Sequence, residues 1–310
     1  MAPSALSLPE LLEQIFRHFD ARTLLAVGRV STLFNTMAQE EWRYRVHKYT
    51  GPFVTDVNHF YFILGGVEGV VSGSTALAVI LRGSPFGDFL SPTSDLDIYV
   101  PSQAASDEMV RYFAEFEGYQ VDSTTVASGD HVMKRKPESI VSLTRLRRVK
   151  DDLVRSVDII VGAKDAATTP LFSFWGSLVM NYISATSVVC SYPRLTLDGR
   201  FFVRPGVARS SIAEPLDKYR SRGFISALHR GHSAGCKSLQ SYCPGRFRHT
   251  EDPASMRVDW QSRPGYTLPY CVKSPSSVPA AYWKWETCSF VKYDLPYEEI
   301  SKDGCAVGRL

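Results

Sequence analysis

Apolar residues Leu11, Leu12, Ile15, Phe16 and Phe19 recur at helical spacing, and Leu24, Leu25, Val27, Val30 and Phe34 continue the pattern beyond Asp20-Ala-Arg. Residues 7–48 therefore predict a small bundle of short helices. From Gly51 the pattern changes: short runs rich in Val and Ile alternate with helical stretches, as in a domain that packs helices on a sheet. The spacing predicts a helix over 53–64, a buried strand over 69–72, a helix over 74–81, a strand over 95–100 stopped by Pro101, and an amphipathic helix over 104–116. Two more strands are expected over 139–149 and 154–161, joined by a turn at 149–152. Leu171, Phe174, Trp175, Leu178, Val179, Tyr182 and Ile183 form a broad apolar face that predicts a helix over 170–184, and a shorter helical run is expected over 217–228. Residues 233–279, rich in Ser, Pro, Gly and Cys, read as loop-dominated. The expected fold class is α+β: a helical bundle over 1–50, a mixed-sheet α/β domain over 51–235 and a loop-rich C-terminal extension over 236–310.

Composition narrows the function classes. Hydrophobic residues at 44% and charged residues at 22% exclude a disordered or fibrous chain. A net charge of +3 is too small to imply a nucleic-acid or membrane surface without a local cluster. No apolar run approaches the roughly 20 residues needed to span a bilayer. The N-terminus lacks a basic segment followed by an apolar one, so an intracellular, reducing compartment, cytoplasm or nucleus, is expected. Cys190, Cys236, Cys243, Cys271, Cys288 and Cys305 are scattered without a C-x-x-C pair and read as free thiols. A zinc site from Cys236, Cys243 and His249 has a wider cysteine gap than metal hairpins use. His131 and His232 show no metal spacing to His249 or to each other.

The strongest chemical signal is Thr93-Ser-Asp95-Leu-Asp97-Ile-Tyr-Val100. Positions i and i+2 of a strand share a face, so Asp95 and Asp97 converge while Leu96 and Ile98 face the core. Ser156-Val-Asp158-Ile-Ile-Val161 isolates a third carboxylate among apolar residues, where burial is costly without a cation or donors. Three carboxylates on neighbouring strands suit hard divalent cations. Upstream, Val70-Val-Ser-Gly73-Ser74 ends a strand and opens a helix, whose free N–H groups favour phosphate. Gly83-Ser84 lies nearer Asp95 and is the alternative phosphate loop, but it follows a helix-like run; residues 83–94 would be a flexible loop beside the site. The basic residues Lys134, Arg135, Lys136, Arg145, Arg147, Arg148 and Lys150 either attract a phosphate-bearing acceptor or RNA or form a solvated face. Tyr282, Trp283 and Trp285 either stack on a base or anchor the tail on the core.

Two resemblances follow from these residues. Leu8-Pro9-Glu-Leu-Leu-Glu-Gln-Ile15-Phe16, Phe19-Asp20, Leu24-Leu25, Val30-Ser-Thr-Leu-Phe34 and Trp42 resemble an F-box. This implies docking of a Skp-type adaptor of a cullin-RING ubiquitin ligase through Leu8, Pro9, Ile15 and Leu24. Gly73-Ser74, Asp95-x-Asp97 and Asp158, over roughly residues 65–185, resemble the nucleotidyltransferase fold of the DNA polymerase beta superfamily. That likeness implies Mg²⁺ or Mn²⁺ held by Asp95, Asp97 and Asp158, and a nucleoside triphosphate whose terminal phosphates sit on Ser74 and the Gly73 backbone. Two functional readings stay open: an enzyme that transfers a nucleoside monophosphate to an acceptor, or an inactive nucleotidyltransferase fold that recruits substrates to the ligase.

Overall fold

The computed structural model describes residues 9–87, 89–126, 139–150, 152–163, 165–204, 207, 209–228, 243, 248–260, 278, 282–283 and 298–299. The architecture is α+β. The helices α1 (Pro9–Phe16), α2 (Ala21–Val27), α3 (Thr32–Thr50) and α4 (Val57–Gly66) come first. Polar caps set their starts: Asp20 accepts from the Thr23 N–H at 2.8 Å, Ser31 from the Phe34 N–H at 3.2 Å, and Asp56 from the Asn58 N–H at 2.9 Å. Next are β1 (Val70–Ser72), α5 (Gly73–Leu81), β2 (Leu96–Val100), α6 (Gln103–Glu115), β3 (Gln120–Val126), β4 (Ile140–Lys150) and β5 (Leu153–Gly162). Then follow β6 (Asn181–Ile183), β7 (Ser187–Cys190), α7 (Pro193–Leu197), β8 (Arg200–Phe202), α8 (Arg209–Ser221), β9 (Ile225–Leu228), β10 (Arg248–His249), β11 (Met256–Asp259), β12 (Tyr282–Trp283) and β13 (Glu298–Glu299).

Eight strands form the main sheet in the order β11-β7-β6-β1-β2-β5-β4-β3. The β2–β5 pair is parallel, with Asp97 beside Asp158, and the other pairs in this sheet are antiparallel. Side chains alternate across it. Val71, Ile98, Val157, Ile159 and Ile183 pack on one face with α5, α6 and the N-terminal helices, whereas Val70, Tyr99, Ile160 and Tyr182 form a second core on the other. Leu12, Phe16, Leu24, Trp42 and Val46 belong to the first of these cores, so the N-terminal helices share one continuous apolar interior with the sheet.

Three expectations change. Residues 170–184 are not a helix but two single 3₁₀ turns, Leu171–Ser173 and Ser177–Val179, leading into β6. Leu178, Val179 and Ile183 enter one core while Leu171, Met180 and Tyr182 enter the other, so burial on two sides produced an apolar density that mimics a helix face. Residues 217–228 divide: α8 ends at Ser221, Gly223 adopts φ +86°, and β9 follows. The stretch expected to be loop-dominated contributes β11, an edge strand of the main sheet, and Trp260, whose indole Nε1 donates to the Ser184 carbonyl at 3.2 Å and whose ring packs edge-on against Tyr61. Cys190 and Cys243 are buried and form no disulfide, as expected, and Cys236, the other cysteine of the imagined zinc site, lies outside the described residues, as do Cys271, Cys288 and Cys305. Among the described residues no helix is long and apolar enough to cross a membrane.

Candidate metal centre

The parallel register of β2 and β5 brings Asp97 and Asp158 side by side, and Asp95 lies just before β2 on the same face. Ligand oxygens of Asp95, Asp97 and Asp158 all lie within 4.8 Å of one another. That spacing matches the span of oxygens around one or two hard divalent ions. Like charges and burial work against this cluster: the Asp97 carboxyl is pushed up to about 8, first by desolvation, then by the charges of Asp95 and Asp158. Lys218 on α8 and Arg145 on β4 pull in the opposite direction. A divalent ion would relieve the same repulsion, and the oxygen donors suit a hard cation in charge and chemistry.

Gly73 explains how the backbone reaches the carboxylates. It has φ +63°, and a Cβ built there would lie 1.8 Å from Asp97 Oδ2. β1 pairs antiparallel with β2, placing Ser72 opposite Asp97, and α5 starts at that point. Ser72 provides no side-chain cap; its Oγ instead donates to the Asn181 carbonyl at 2.6 Å. Ser74 is buried and lies close enough to lower the pKa of Tyr219, which burial pushes up to about 12. Thus the Gly73 backbone flanks the carboxylates, with Ser74 and Tyr219 beside it.

Gly83-Ser84 sits elsewhere. Nine residues of helix, about 13 Å of rise, separate the start of α5 from its end. A Cβ at Gly83 would strike the Phe19 carbonyl at 2.3 Å, which places this turn against the N-terminal helices. The connection from Arg82 to Asp95 is anchored rather than free: Phe86 stacks on Phe224 at 5.5 Å and Phe89 meets the same ring edge-on at 6.1 Å.

The partner of Asp158 does not show in the sequence pattern. Arg145 Nε and Nη2 donate to Oδ1 and Oδ2 of Asp158 at 2.7 and 2.6 Å, a two-pronged pair. In the β4–β5 hairpin Lys150 pairs with Leu153, so Arg145 stands opposite Asp158, a register that the turn expected at 149–152 does not fix. Asp152 takes φ +59° in that turn, a left-handed conformation that Asp tolerates. Lys218 and Tyr219 were also missed, since α8 lies far downstream and only tertiary packing brings it to the site. The other basic residues are spread out: Arg147 pairs with Asp122 at 3.4 Å, Arg148 donates to the Glu117 carbonyl at 2.8 Å, and Lys134, Arg135 and Lys136 lie outside the described residues. His249 pairs through β10 with Tyr282 of β12, while His131, His232 and Trp285 lie outside the described residues.

Of the residues expected to contact an adaptor, Ile15 is 44% exposed and Leu24 is 0% exposed, at the back of a cleft between α2, α3 and β11. Leu24 therefore serves the core. Pro9 begins α1 and Leu8 lies outside the described residues.

No family model, curated protein or solved structure matches the chain.

Proposed function

We propose that the protein is a metal-dependent nucleotidyltransferase that moves a nucleoside monophosphate from a nucleoside triphosphate to an acceptor hydroxyl. The observation that carries this reading is the convergence of Asp95, Asp97 and Asp158 beside the side-chain-free Gly73. Asp95 and Asp97 would hold Mg²⁺ or Mn²⁺, with Asp158 the further ligand on the neighbouring strand. Bound divalent ions supply charge neutralisation at the attacking and leaving oxygens of an in-line displacement. Around them the chain's own groups would orient the substrate: the Gly73 backbone and the first N–H groups of α5 face the anion, with Ser74 and Tyr219 beside them. The test is incubation with each labelled nucleoside triphosphate and Mg²⁺ or Mn²⁺. Pyrophosphate release above that of Asp95→Ala/Asp97→Ala supports the reading, whereas equal release together with no triphosphate binding sinks it.

The two-pronged bond from Arg145 to Asp158 favours a second reading, in which the site is structural and the fold serves as the substrate-recruiting module of a cullin-RING ligase. The exposed Leu11 and Ile15 of α1 would then face a Skp-type adaptor. Adaptor co-purification that survives Asp95→Ala and is lost on Ile15→Asp supports it; absence of co-purification with the unaltered chain removes it.

A further inference from the structure

Asp158 is 5% exposed, and both of its oxygens are taken by one guanidinium. A cation approaching the trio therefore meets two carboxyl groups that no guanidinium holds, Asp95 and Asp97, while the third is already neutralised. The Arg145 side chain is 38% exposed, so it has solvent to move into, and it feels the charge of Asp95 as well as that of Asp158. Removing it without replacement would leave a buried, uncompensated carboxylate, which is strongly unfavourable. A divalent ion ligated by Asp158 supplies the missing compensation. Once displaced, the guanidinium stands beside a centre that carries added positive charge, and it is relieved by an oxyanion of tetrahedral, phosphate-like geometry, which a planar fork of N–H donors grips in pairs.

We propose that Arg145 is an internal counter-ion that divalent metal must displace from Asp158, so that metal and a phosphate-like anion bind this site cooperatively and neither binds well alone. The proposal rests on the reading of Asp95, Asp97 and Asp158 as a divalent-cation site. It turns the Arg145–Asp158 bond, which by itself argues for an inert site, into a positioning device that withholds the third ligand until the anion arrives. Linkage makes the effect reciprocal: whatever factor the anion adds to metal affinity, the metal adds to anion affinity.

The experiment measures free Mn²⁺ by electron paramagnetic resonance over the whole chain, with and without sulfate, a phosphate-like dianion that chelates Mn²⁺ weakly. In the unaltered protein, Mn²⁺ binds weakly and sulfate tightens it about fivefold or more. In Arg145→Gln, Mn²⁺ binds at least about tenfold tighter than in the unaltered protein without sulfate, and sulfate adds nothing. If Arg145→Gln binds Mn²⁺ no tighter, or sulfate tightens both proteins equally, the proposal is overturned. Should Arg145→Gln fail to fold, Arg145→Lys keeps a charge but loses the two-pronged grip. It should show the same direction with a smaller gain, and unchanged affinity in it overturns the proposal equally. Asp97→Asn placed in the Arg145→Gln background separates the two levels: unchanged Mn²⁺ binding there refutes the carboxylate site and the proposal with it, whereas lost binding leaves only the role of Arg145 under test.

Discussion

A Cβ atom on Gly73 would lie 1.8 Å from Oδ2 of Asp97, so the chain passes the central carboxylate with no room for any side chain. The backbone φ of +63° at the same residue adds a second demand that only glycine meets without strain. Gly73→Ala should therefore cost about 1–3 kcal/mol of stability and push the Asp97 carboxylate out of place, abolishing Mn²⁺ binding. Gly66→Ala, at a helical position where a Cβ meets nothing within 4 Å, should be no less stable than the unaltered chain. Urea unfolding and Mn²⁺ titration of both variants check this.

The proton on Asp97 should couple metal binding to pH. Its carboxyl is raised in the folded protein from 3.8 to about 8 by desolvation and by Asp95 and Asp158. Between those values the folded state binds a proton that the unfolded state does not, so in metal-free buffer this group's contribution to stability falls as pH rises from about 4 to about 8. Asp97→Asn should flatten that part of the profile, as read by chemical denaturation at several pH values. Mn²⁺ affinity should run the other way, rising toward pH 8 because the ion must displace the proton. Calorimetry in buffers of different ionisation enthalpy should detect proton release at pH 6 to 7 and none well above pH 8.

Ile15 and Leu24 should respond oppositely to the same substitution. Ile15 is exposed, so Ile15→Asp should shift stability by no more than about 0.5 kcal/mol, and if the chain docks a Skp-type adaptor as in the second reading, it should remove that capture. Leu24 is fully buried, so Leu24→Asp strands a charge in the core and should unfold the protein. Thermal melting alongside co-purification distinguishes loss of a contact from loss of the fold.

Glu41 joins the N-terminal helices to the rest of the molecule. It bonds Arg45 Nε at 2.7 Å on α3 and Arg82 Nε at 3.3 Å just after α5. The Arg45 side chain is fully buried, and burial depresses its basicity against the opposing pull of Glu41. Glu41→Ala leaves that guanidinium without its counter-charge and should cost about 3–5 kcal/mol, measured by urea unfolding. Loss of less than about 1 kcal/mol would mean that water replaces the partner.

The carboxylate site was legible because it is local chemistry written on strands. A period of two placed Asp95 and Asp97 on one face, and the isolated Asp158 stood out against its apolar neighbours. The strands themselves were also readable, since β2, β4 and β5 lie within a residue or two of the expected spans. The helix expected over 170–184 failed for a reason that pattern alone does not reveal. Apolar residues that serve two opposite cores have no polar face, so their spacing carries no information about period.

The chain by itself therefore determined the residue types that converge, the glycine that lets the backbone approach them and the strands that carry them, because all of these depend on neighbours within a few positions. Tertiary structure alone decided that Leu24 is core, that β11 and Trp260 complete the sheet, and that Lys218 and Tyr219 reach the site from α8. It also decided that Asp158 is held by Arg145, which required the register of the β4–β5 hairpin. The physical reason is common to all four: burial and charge compensation are set by whatever elements pack together, across separations in the chain that no local periodicity records.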